Sequence, residues 1–117
     1  MSVLFLQYPP CTTCKKAKAW LDERGVAYEA RNIKEENPTA EELKVWHEKS
    51  GLPLKKFFNT SGLVYKALGL KDRLPTMSEE EQYQLLASDG MLVKRPLVVG
   101  ENFVLVEFRE AQWQEQL

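Results

Sequence analysis

The stretch YPPCTTCKKAKAWL, residues 8–21, sets the chain's two cysteines three positions apart, behind two prolines and ahead of a run with helical spacing. Val3 to Tyr8 is apolar except for Gln7, the pattern of a strand covered on both faces, and Pro9 and Pro10 end it. From Cys11 or Thr12 onward, Cys14, Ala17 and Leu21 recur at helical spacing, and Gly25 supplies a stop. Tyr28 to Ile33 reads as a second strand. A strand, a helix and a strand in so short a span predict a crossover unit with parallel strands and a right-handed connection. The cysteines therefore fall where the first strand gives way to the helix.

Beyond this unit the pattern turns helical. Thr39-x-x-Glu42 is a capping-box signature opening a helix to about Lys49, with Leu43, Val45 and Trp46 as its apolar side and Ser50-Gly51 as its end. Leu54 to Phe58 reads as a short turn and Ser61 to Leu68 as a helix. Ser78-x-x-Glu81 caps another helix, carrying Tyr83, Leu85 and Leu86. Leu97 to Val99 and Phe103 to Phe108 flank Gly100-Glu101-Asn102 as a hairpin, and Arg109 to Gln116 reads as a terminal helix. The order predicts one α/β domain over residues 1–117: strand, helix, strand, a helical insertion at about 38–90, hairpin and terminal helix around a mixed sheet.

Bulk properties narrow the functional classes. A chain of 117 residues buries roughly two-thirds of its unfolded surface, enough to need no disulfide or metal staple. Hydrophobic residues make up 44% and charged residues 28%, which excludes a disordered chain. Sixteen basic and 17 acidic residues leave a net charge of −1, so no overall positive field draws nucleic acid or anionic lipid. MSVLFLQY lacks a basic leader and a cleavage site and is too short for a membrane span, so the expected location is the cytoplasm. There a paired cysteine motif is catalytic, sensing or metal-binding more often than structural.

A cysteine at a helix start sits beside unpaired N–H groups and the positive end of the helix dipole, which favour its thiolate. This makes Cys11 the nucleophile; Lys15 and Lys16 can add to the effect, with solvent screening their charge where they are exposed. Cys14 lies one turn on, in register with Ala17 and Leu21 and so pointing inward, placed to attack a mixed disulfide on Cys11 and close a Cys11–Cys14 disulfide. Two plainer readings stand beside this one. A structural zinc site needs four ligands, and the chain offers only His47 beyond the pair. Alternatively, both cysteines are inert core residues. His47 itself reads as an ordinary residue of an amphipathic helix. Lys94-Arg95-Pro96 precedes the strand at Leu97, and a proline at a strand entrance is ordinarily trans.

The stretches YPPCTTCKKAKAWL, RNIKEENPT, LKKFFNTSG and LLASDGMLVKRPLVV, spread over residues 8 to 99, resemble the arsenate reductase family of the ArsC and Spx type. That family is a thioredoxin-fold branch with an inserted helical segment. The resemblance implies a thioredoxin-like domain and Cys11 as the reactive cysteine. It implies a cis Arg95–Pro96 bond that sets Arg95 beside the thiol, and a substrate-binding set of Arg95, Pro96, Thr12 and Thr13. It further implies thiol-disulfide chemistry on an oxidised thiol substrate, with glutathione or thioredoxin as electron donor and no bound cofactor or metal. Arsenate-reducing members carry an arginine before a threonine in the segment matching LKKFFNTSG, where this chain has Asn59 before Thr60. Another arginine near the end corresponds to Arg109 only in a shifted register, so arsenate reduction is expected to be weak. Spx-type members bind the C-terminal domain of the RNA polymerase α chain and use the cysteine pair as a redox switch, usually with a basic tail after the last strand. Here only Arg109 is basic in that region, which leaves polymerase binding as the alternative.

Overall fold

The computed structural model describes residues 2–117. Strand β1 (Val3–Gln7) leads through helix α1 (Thr12–Glu23) to β2 (Tyr28–Asn32). Helices α2 (Ala40–Ser50), α3 (Leu63–Ala67), α4 (Leu70–Arg73) and α5 (Glu79–Ser88) follow, interspersed with 3-10 turns, before β3 (Leu97–Val99), β4 (Val104–Val106) and α6 (Glu110–Gln116). The sheet runs β2-β1-β3-β4. β1 pairs with β2 in parallel and with β3 antiparallel, and β3 pairs with β4 antiparallel. The crossover unit and the hairpin read from the sequence are both present.

Alternate residues along the central strands face opposite layers. Phe5, Val98 and Leu105 join Ala17, Trp20 and Leu21 of α1 and Trp113 of α6 on one face. Leu6, Leu97, Val104 and Val106 join Ile33, Leu43, Trp46, Phe57 and Leu86 on the other. The insertion thus covers one face of the sheet, and the first and last helices cover the other. Trp113, fully buried, holds the short α6 in place by edge-on contacts to Phe108 at 4.8 Å and Trp20 at 5.9 Å.

Both capping boxes form, with Thr39 and Ser78 each accepting from the backbone N–H of the glutamate three residues on. Several boundaries differ from the sequence reading. Val45 is exposed, because Leu43 and Trp46 share one helix face and Val45 turns away from it. The helix read at Ser61 starts only at Leu63, since the Gly62 N–H closes a turn onto the Asn59 carbonyl at 3.1 Å. Gly69, at φ +63, then separates α3 from the unforeseen α4. β4 stops at Val106 because Glu107 takes φ +57, outside the strand region. Among the described residues, no helix is long and apolar enough to cross a membrane.

Candidate active site at the end of the first strand

Cys11 is the N-cap of α1, with φ −74 and ψ 122. Its N–H donates to the Tyr8 carbonyl at 2.9 Å, closing a turn over the two prolines, and its own carbonyl accepts from Lys15 N at 3.1 Å to start the helix. Its side chain is half-buried, whereas Cys14, one turn on, is fully buried and accepts from the Tyr8 N–H at 3.5 Å. Both thiols are free.

The two sulfurs have unequal acidities. Burial works against a Cys11 thiolate, but the Cys14 N–H, the Cys14 thiol, the Arg95 guanidinium and the Thr13 N–H together hold its pKa below that of an ordinary thiol. Cys11 makes no side-chain cap hydrogen bond to the helix; the amides favour the negative charge of the thiolate. Burial pushes Cys14 up to about 12; the Tyr8 N–H opposes this, and the neighbouring Cys11 adds to it. Lys15 and Lys16 are exposed, where solvent screens them, and the side-chain cation that acts on Cys11 is Arg95.

Arg95 reaches the cysteines through the sheet. The β1–β3 register pairs Leu4 with Val99 and Leu6 with Leu97, which directs the chain ends beyond it, Tyr8 and Arg95, toward each other. The Arg95–Pro96 peptide is cis, as the resemblance implied and the strand-entrance reading did not, and Pro96 is buried. The Arg95 guanidinium carbon lies 5.0 Å from the centre of the Tyr8 ring. Its Nε and Nη1 are buried and donate to nothing in the protein. Unpaired buried donors on a cation are unfavourable, and an anion bound here would satisfy them.

Cys11, Thr13 and Arg95 line a cavity of about 510 Å³ with Asn59, Met91 and Lys94 among its other walls. Of the expected binding residues, Thr12 begins α1, exposed and outside this lining. Arg109 is also outside it, paired with Glu107 at 3.1 Å. His47 sits in the insertion, 2.6 Å from the Tyr83 hydroxyl and edge-on to Phe57. Met91 carries no signal in the sequence that marks it as a site residue. Tyr8 meets Cys11 through the local turn over the prolines, whereas Arg95 and Lys94 are brought near it by the long-range pairing of β1 with β3, which no local pattern records. Among the described residues, no group of three or more His, Cys, Asp or Glu side chains is placed to hold a metal ion.

Comparison with known proteins accords with this geometry. The ArsC family profile matches residues 6–116. An ArsC-family-related protein of Bacteroides fragilis superposes with a TM-score of 0.96 at 61% identity, covering 100% of this chain and 98% of its own. The Bacillus subtilis protein YusI is 56% identical over 115 residues, 98% of each chain. The global transcriptional regulator Spx of Staphylococcus saprophyticus is 31% identical over 103 residues, 87% of this chain and 76% of the regulator. A mixed sheet of this topology, a cysteine at the end of its first strand and a match across nearly the whole sequence place the chain in the ArsC family, with its thioredoxin-like fold.

Proposed function

We propose that the protein carries out thiol-disulfide chemistry in the cytoplasm. Cys11 attacks an oxidised thiol substrate, Cys14 resolves the mixed disulfide, and Arg95 orients an anionic part of the substrate. Glutathione or thioredoxin then returns the pair to the dithiol. The observation that carries this reading is the asymmetry of the pair: an accessible sulfur favoured as thiolate, lining a cavity edged by an unpaired guanidinium, beside a buried one held as thiol. An attacking thiol needs the first set of properties. The second keeps Cys14 quiet until an adduct forms next to it.

Arsenate is the less favoured substrate. Asn59 offers the cavity wall an uncharged amide, and Arg109 is turned away onto Glu107. Hydrogen bonds to a charged donor contribute about 1.5–3 kcal/mol against about 1 for a neutral one, so the oxyanion loses part of its clamp. The reading is tested by single-turnover oxidation of the reduced protein with excess glutathione disulfide. The expected result is two glutathione thiols released per chain and a monomer lacking two free thiols. Exclusively intermolecular crosslinks would contradict it.

Similarity to Spx supports a second reading, in which the same disulfide switches a contact with the C-terminal domain of the RNA polymerase α chain. A pull-down with that domain, the pair first reduced and then oxidised, separates the two. Redox-dependent capture would favour the regulator.

A further inference from the structure

The Cys11 cavity does not end at Arg95. Lys94 borders it and also borders a second cavity of about 360 Å³, lined by Lys55, Lys56, Pro53, Phe58, Thr60 and Glu107. Backbone hydrogen bonds fix the boundary between the two: Lys94 N donates to the Phe57 carbonyl and Asn59 N to the Leu92 carbonyl, both at 2.7 Å. Phe58 and Thr60 line the second cavity, while Asn59 and Ser61 line the first.

The second cavity is locally cationic in a chain of net charge −1. Lys94 shares Glu107 at 4.0 Å. Lys55 and Lys56 are exposed, and among the described residues no carboxylate lies within 4.0 Å of either ammonium. The charges are thus graded in kind. Beside the reactive sulfur stands a planar guanidinium with buried, unpaired donors; further out stand lysines, compact point charges that suit phosphate without demanding a fixed approach. Phe58 and Pro53 supply apolar wall between them.

We infer that this lysine-lined cavity is a subsite for the far end of the substrate, and that the substrates are low-molecular-weight disulfides whose thiol carries phosphate groups remote from the sulfur. The inference rests on the thiol-disulfide reading above. The Cys11 thiolate attacks one sulfur of R–S–S–R, forming Cys11–S–S–R and expelling RS⁻. Cys14 gives its proton to solvent and attacks Cys11 Sγ, expelling the second RS⁻. Two electrons pass from the dithiol to the substrate sulfurs, and the protein ends with a Cys11–Cys14 disulfide. The lysines take no part in the bond changes. They raise the local concentration of the phosphorylated substrate and hold its remote end.

The test uses two probes with the same reacting arm: coenzyme A disulfide, which bears phosphates, and pantethine, which lacks them. Reduced protein is mixed with each, and loss of free thiol is followed at several salt concentrations. At low salt, coenzyme A disulfide should oxidise the protein on the order of tenfold faster than pantethine, the gap narrowing as salt rises. In the Lys55→Ala/Lys56→Ala double variant the gap should largely close while the pantethine rate stays unchanged, which also shows that the variant folds. Equal rates in the wild type, a salt-independent gap, or glutathione disulfide matching coenzyme A disulfide would overturn the subsite and leave the thiol-disulfide reading standing. Failure of all the disulfides to oxidise the protein would overturn both.

Discussion

Arg95 has two separable effects on its surroundings: its charge lowers the Cys11 pKa, and its unpaired Nε and Nη1 offer hydrogen bonds to an anion. The sign of the first effect follows directly. Removing a positive charge from beside a thiolate raises the thiol pKa, so the alkylation rate of Arg95→Ala should fall off at higher pH than that of the wild type. Measured in a Cys14→Ser background, so that only Cys11 reports, the variant should alkylate more slowly at pH 7. The two should converge once the pH exceeds both pKa values. An unchanged pH profile would mean that the amides of Thr13 and Cys14 alone set the reactivity. The place of Cys11 was legible in the sequence because its cause is local, a cysteine at a helix start. Tyr8 under the guanidinium was not, because its partner lies more than eighty residues away along the chain.

At the scale of elements, the capping boxes show how much a short pattern can specify. Thr39 and Glu42 satisfy each other's backbone groups, and Glu42 also takes two hydrogen bonds from Arg31, at 2.7 and 2.9 Å. Thr39→Ala should therefore lower stability by about 1 kcal/mol in denaturant unfolding while leaving cysteine reactivity unchanged. Gly90 is of another kind. A Cβ there would stand 2.0 Å from the Ile33 carbonyl oxygen, at the seam where the insertion meets the end of β2, and Asn37 Nδ2 donates to the Ala87 carbonyl at 2.7 Å across the same seam. Gly90→Ala should cost about 1–3 kcal/mol by overpacking; a neutral result in the same unfolding experiment would show that the seam yields. Caps are readable because both partners lie within one turn. The seam and the end of β4 at Glu107, whose N–H donates to the Pro96 carbonyl, are set by what lies across the fold, so local spacing placed them only approximately.

On the scale of the whole molecule, the sheet order puts β1 at the centre, flanked by a parallel strand from its own crossover unit and an antiparallel strand from the far end of the chain. The alternation of strands and helices made the fold class readable. What it left out was that β3 delivers a cis Arg95–Pro96 to the cysteines and that Asn59, Ser61 and Gly62 line the cavity that Cys11 borders. This arrangement gives the two thiols different environments, one half-exposed and cation-stabilised, the other sealed in the core. The division of labour between them is the central claim, and trapping of the mixed disulfide tests it most directly. Cys14→Ser and Cys11→Ser variants are incubated with glutathione disulfide and their intact masses measured. Cys14→Ser should accumulate one stable glutathione adduct, located on Cys11, because attack survives and resolution does not. Cys11→Ser should remain unmodified. An adduct on Cys14 in the Cys11→Ser protein, with Cys14→Ser left bare, would reverse the roles and contradict the account.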